Sequence, residues 1–231
     1  MKIVTIHQPE HLSYLGFFHK VSMADELVLL DNVKFEKNYF QNRNRIYTPQ
    51  GEEYITVPVT NQNDKICYVT ISGEWERQKK KNCKKIELSY KNTPYWKVYG
   101  DDFLEAYTTK TDSLEILNYR LLDFVLNVLR IKIPIVYASS MENAVGSKTD
   151  LLVNILKERK ADKYISGCSG RDYLDMSKFG DIKVEFQNFK HPVYTQYGKT
   201  EFKPYMSVID AIFNVGENIT EIIDKTNGYK R

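Results

Sequence analysis

Lys2-Ile3-Val4-Thr5-Ile6-His7-Gln8-Pro9 and, a short way on, Glu26-Leu27-Val28-Leu29-Leu30-Asp31 are the stretches that decide the fold of this chain. The first is a β-branched run that stops at Pro9, which has no N–H to extend a central strand. The second is a brief apolar run bounded by charge, the pattern of a strand buried on both faces of a parallel sheet. Between them Leu12, Leu15, Phe18 and Val21 recur at helical spacing, interrupted by Gly16. Strand, loop, helix and strand in so short a span make a βαβ unit.

The same alternation continues outward. Tyr54-Ile55-Thr56-Val57-Pro58-Val59 and Cys67-Tyr68-Val69-Thr70-Ile71 read as strands, and residues 75–90 as a basic helix with Pro94 closing that region. Ser113 is placed to cap a long helix carrying Leu117, Leu121, Val125 and Leu129. Strands are expected at residues 133–137, 163–167 and 184–186, and helices at 149–160 and 207–215, the last stopped by Gly216. The reading is one α/β domain over residues 1–231, with a mixed or mostly parallel central sheet flanked by helices.

Composition excludes several classes of function. With 33 Lys+Arg against 30 Asp+Glu, the net charge of +3 gives no footprint for a dedicated nucleic-acid binder. The local exception, Lys79, Lys80, Lys81, Lys84 and Lys85, reads as a solvated helix face. Aromatic content of 13% rules out disorder, and no apolar run approaches the ~20 residues that span a bilayer. The start of the sequence has no secretory pattern, and the 3 cysteines, Cys67, Cys83 and Cys168, are too scattered for a disulfide framework. A cytoplasmic protein is expected.

Four polar clusters carry chemistry. His7-Gln8 ends the first strand, where open α/β sheets place their ligands; His7 reads as a base or phosphate contact, or as a loop cap. Pro9 breaks any helical pairing of His7 with His11, so no metal site is expected. Gln41-Asn42-Arg43-Asn44-Arg45 offers donors for phosphate or sugar hydroxyls, or is simply a surface strand. In Ser166-Gly167-Cys168-Ser169-Gly170-Arg171 the glycines allow close approach of an anion, with Arg171 adding charge, although the P-loop spacing is missing. Cys168 reads as a nucleophile with His7 or His191 as its base, or as a small apolar residue. His191-Pro192-Val193-Tyr194-Thr195-Gln196 follows another strand and is either functional or a loop tucked down by its tyrosine.

Taken in order, these segments resemble the WbqC-like family of bacterial proteins. The carriers are His7-Gln8-Pro9 with Tyr14-Leu15-Gly16-Phe17-Phe18-His19-Lys20, then Ala24-Asp25, Leu30-Asp31-Asn32-Val33, Gln41 to Ile46 and Val57-Pro58-Val59. Ser166-Gly167, Asp172-Tyr173-Leu174, His191-Pro192-Val193-Tyr194 and Phe202 through Gly216 extend the match over nearly the whole chain. His11 stands where the family tends to carry an aromatic, and Ser13 where it tends to carry proline.

The resemblance implies surface-polysaccharide (O-antigen, lipopolysaccharide) biosynthesis beside enzymes that make nucleotide-linked amino sugars. It also implies a site drawn from His7, Gln8, Lys20, Asp31, Gln41, Asn42, Arg43, His191, Tyr194 and Gln196. The activity expected is transfer of an acyl or aminoacyl group from an activated donor to the sugar amine, with no metal. His7 or His191 would take the amine proton, and Asp31 would orient a His or the amine. Gln8, Asn42 and Gln196 would hold hydroxyls or an oxyanion, and Lys20 with Arg43 the diphosphate. The alternatives are a non-catalytic sugar-nucleotide binder or scaffold, and a glycosyltransferase, for which no Asp-x-Asp pair is present; Asp101-Asp102 is adjacent. If the strands before His7 and His191 are parallel, His7, Gln8, Asn42, Arg43, His191 and Gln196 should share one pocket.

Overall fold

The β-branched run at the start forms β1 (Ile3–His7), and the apolar run after it forms β2 (Glu26–Leu29), hydrogen-bonded to it in parallel. The computed structural model describes residues 1–228. Between the two strands lies α1 (Leu15–Ser22), so the opening is a βαβ unit. A β3–β4 hairpin (Arg43–Thr48, Gly51–Thr56) follows, then helices α2 (Trp75–Tyr90), α3 (Trp96–Thr108) and α4 (Leu114–Val128). The chain re-enters the sheet as β5 (Ile135–Tyr137), crosses as α5 (Lys148–Glu158) to β6 (Lys163–Ser166), and adds β7 (Lys183–Phe186). It closes with α6 (Val208–Val215) and α7 (Ile219–Asn227).

The main sheet has 5 strands in the order β5-β2-β1-β6-β7, and all its pairings are parallel. Alternation decides which face each side chain takes. Val4, Ile6 and Val28 point to a layer built on α5, with Leu152, Ile155 and Leu156. Leu27 and Leu29 point the other way, into a larger core shared with α1, α4 and α6.

Ser113 accepts a hydrogen bond from the Ile116 amide at 3.2 Å, as a serine preceding a helix should. Replacing Ser113 with alanine should cost about 1 kcal/mol in urea unfolding; no measurable loss would mean the amide finds water equally well. Gly216 adopts φ 61° and ends α6.

Two features correct the sequence reading. Residues 67–71 are not a strand: Ile66–Tyr68 is a turn of 3-10 helix, and only isolated bridges involve Thr70 and Ile71. The Tyr68 amide bonds the Lys65 carbonyl and the Val69 amide that of Ile66, so local turn bonds take the donors that a ladder would need. The polar run from Gln41 takes the second of its two readings, a strand: from Arg43 on it is β3. Helices α3 and α7 were not anticipated. Among the described residues, no helix is long and apolar enough to cross a membrane.

Candidate active site

The sheet order reverses at β1. From β1 the chain moves to β2 on one side, and only after β5 does it return to lay β6 on the other. In open α/β sheets this switch leaves a crevice at the carboxyl ends of the two central strands. His7 ends β1 there, and Gly167 follows β6. A cleft opens at that point in two adjoining lobes of ≈ 380 and ≈ 370 Å³. His7, Glu10, Lys20, Tyr39, Gly167 and Ser169 line both lobes. The first lobe adds aromatic walls from Tyr14, Phe17, Phe40 and Tyr205, together with Arg45 and Cys168. The second adds polar groups from Gln8, Glu36, Ser166 and Tyr173.

Three charged or titratable groups form a chain at the junction. Lys20 sits in α1 with only 2% exposure, and its ammonium reaches down to the end of β1. It donates to the Ile6 carbonyl at 3.1 Å and to His7 Nδ1 at 2.9 Å. A donor on Nδ1 leaves the ring proton on Nε2, which faces Glu10 Oε1 at 3.1 Å. Burial, and then the adjacent Lys20 charge, lower the His7 pKa, so the ring is neutral at pH 7. Burial opposes ionisation of Glu10, but His7, Ser13 and Lys20 outweigh it and hold the carboxyl below its usual range. Burial brings the Lys20 ammonium down to about 8. A neutral imidazole thus lies between an ionised carboxylate and a cation that can lose its proton near working pH.

His7, Gln8, Lys20 and Cys168 come together at this cleft. Cys168 is exposed, and it has no hydrogen bond to either His7 or His191 among the described residues. Gln41 stands just behind: fully buried, it donates to Gln8 Oε1 at 2.7 Å and accepts from the Glu36 amide. It fixes the polar lobe without lining it.

The other candidates go elsewhere, each for a visible reason. Asn42 donates to the Val57 carbonyl at 2.8 Å and ties the hairpin down. Arg43 stacks its guanidinium 4.5 Å from the Tyr54 ring and bonds Asn38, and Arg171 lies 5.2 Å over Phe186. Tyr194 and Gln196 both donate to the buried carboxylate of Asp210, at 2.8 Å each, and Tyr90 adds a third donor at 2.9 Å. His191 does not join His7, because the chain leaves the sheet after β7. Its ring is enclosed by Phe189, Tyr194, Phe202 and Tyr205, and burial lowers its pKa. Its place is behind Tyr205, whose ring lies 5.0 Å from it. Asp31 is fully buried and accepts from both the amide and the hydroxyl of Ser139. Glu115 bonds to Asp31, and burial together with that neighbour lifts its carboxyl to about 8.

Comparison with known proteins then bears on identity. The family model described as WbqC-like protein family matches residues 8–222. The chain belongs to the WbqC-like family. A Mycobacterium tuberculosis (strain ATCC 25618 / H37Rv) relative, "Uncharacterized protein Rv1507c", is 31% identical over 223 residues, covering 94% of this chain and 95% of that protein. No solved structure matches.

In this WbqC-like chain the site contains residues that the sequence reading passed over. Glu10 had a signal: an acid on the loop just past the strand-ending His7. Tyr39 and Tyr205 had weaker ones, since an exposed loop aromatic reads the same whether or not a cleft lies beneath it. Both tyrosines are about half exposed, at 46% and 52%. Tyr205 also holds φ 60°, a left-handed conformation unusual for a bulky residue, which aims its ring over the cleft.

Proposed function

We propose that this cleft belongs to a transferase of surface-polysaccharide biosynthesis, which passes an acyl or aminoacyl group from an activated donor to the amine of a nucleotide-linked sugar. The observation that carries the reading is the buried Lys20–His7–Glu10 chain opening onto a two-lobed cleft at the switch of the sheet. As the amine attacks the donor carbonyl, it sheds a proton while the leaving group departs. The Glu10 carboxylate is the acceptor beside it, and His7, whose Nε2–H donates to that carboxylate, holds it in place. Glu10 and Glu36 in the polar lobe also suit a sugar that arrives as an ammonium.

The test is incubation of purified protein with amino-sugar nucleotides and a panel of acyl and aminoacyl donors, followed by mass spectrometry of the sugar. Glu10→Gln should slow turnover by about 10²–10⁴-fold, and His7→Gln, which keeps an N–H donor, by less, with substrate binding changed little in either. Tight binding with no mass change across the panel would mean a binding protein rather than a transferase.

A further inference from the structure

An ammonium removed from water is costly unless an anion accompanies it. Lys20 has none bound to it: its two protein acceptors are a carbonyl oxygen and a neutral ring nitrogen. Glu10 is near enough for its charge to be felt at Lys20, yet its bonds go to His7 and Ser13. An ammonium carries three donors, so one remains, with no protein acceptor among the described residues, on a side chain that lines both lobes.

Gly167 lines the same two lobes as this donor, and its backbone is bare. Its φ of −63° and ψ of 161° suit any residue, and a Cβ there would meet nothing within 4 Å. Backbone strain therefore does not account for the glycine. What it provides is open space on the wall shared by the lobes.

We infer that Lys20 seats a phosphate of a nucleoside diphosphate, with the nucleoside in the aromatic lobe and the sugar in the polar one. This deepens the function proposed above and rests on the cleft being the substrate site. The assignment of lobes follows from their walls. Tyr14, Phe40 and the strained Tyr205 offer ring faces to a base, which stacks on aromatics whatever its identity. Gln8, Glu36 and Ser166 offer hydrogen bonds to hydroxyls and an amine. Only the junction, where Lys20 stands, contacts both halves.

The experiment is binding without any acyl donor, with pyrophosphate and uridine diphosphate as probes, measured by calorimetry, alongside titration of the Lys20 side chain by 15N NMR. Pyrophosphate should raise the Lys20 pKa in the unaltered protein by at least about one unit, as an opposite charge at contact distance does. Lys20→Met should weaken both probes by about 10- to 100-fold, the range for one charge-assisted hydrogen bond. Tyr205→Ala should weaken uridine diphosphate by about 5- to 100-fold and leave pyrophosphate unchanged. Gly167→Val, which leaves the backbone unstrained, should block both probes and serves if Lys20→Met fails to fold. An unmoved Lys20 titration, or binding within threefold in both Lys20→Met and Gly167→Val, overturns the inference. So does borohydride trapping of a sugar aldehyde on Lys20, which would make it a nucleophile. Binding as expected with no acyl transfer would defeat the proposed reaction and leave the phosphate seat standing.

Discussion

Replacing Asp210 with alanine is expected to destabilise the protein by about 3–5 kcal/mol, the scale for breaking a buried charged network by removing one partner. Asp210 is 1% exposed and receives Tyr90 Oη, Tyr194 Oη and Gln196 Nε2. Alanine strands all these donors away from water, at about 1–3 kcal/mol for each buried group left unsatisfied, less whatever relaxation recovers. The carboxylate also joins parts of the chain far apart in sequence, since Tyr90 ends α2 while Tyr194 and Gln196 belong to the coil after β7. Asparagine keeps the shape and one acceptor oxygen, and should cost clearly less. Urea unfolding at pH 7 reads both; a loss below 1 kcal/mol for the alanine variant would mean that the tyrosines and Gln196 find other partners.

The second large effect is a pH dependence centred on Glu115. Glu115 Oε1 is buried with no hydrogen-bond donor, while Asp31 is already satisfied by Ser139. Burial, and then the Asp31 carboxylate in contact with it, disfavour ionisation of Glu115 and lift it to about 8. In the unfolded chain a glutamate titrates near ~4.3. Between those values the folded protein holds a proton that the unfolded one has released, so stability falls as pH rises. The stabilisation is complete below about pH 4.3 and gone above pH 8. Glu115 is only half-buried, and solvent screening reduces the span to about 1–2 kcal/mol. Glu115→Gln donates permanently and should flatten the profile between pH 5 and 8, which urea midpoints across that range would show. An unchanged slope in that variant would assign the dependence to other groups.

Periodicity made the central architecture legible, because strands buried on both faces and amphipathic crossover helices leave strong marks in sequence. Ser113 and Gly216 gave their helix boundaries for the same local reason. Helix α3 was missed because Trp96, Gly100, Phe103 and Tyr107 place a glycine and aromatics where helix propensity is low; tertiary packing of its buried Phe103 and Tyr107 decides its state. The site was half legible. His7, Gln8 and Lys20 are positioned by the βαβ opening, a local construction. Tyr194, Gln196 and His191 look functional in sequence because they are polar and closely spaced. What holds them is Asp210 and an aromatic cage, partners that only the tertiary fold brings near. Arg43 misled for a related reason: a guanidinium in a strand finds the nearest ring, here Tyr54 across the hairpin.

The placing of β1 between β2 and β6 also governs how the molecule is made. Thr5 Oγ1 donates to the Ile165 carbonyl across 160 residues of chain. During synthesis at ~5–20 residues per second, β1 therefore waits roughly 10–30 s with one edge unpaired. Contacts of such long sequence separation slow folding, since loop closure precedes any gain from pairing. An unpaired edge of Ile3, Val4, Thr5 and Ile6 is a template for pairing with another chain in that interval. His7 and Gly167 meet only at its end, so the cleft cannot form before β6 is made, and truncation before β6 removes one wall of the site.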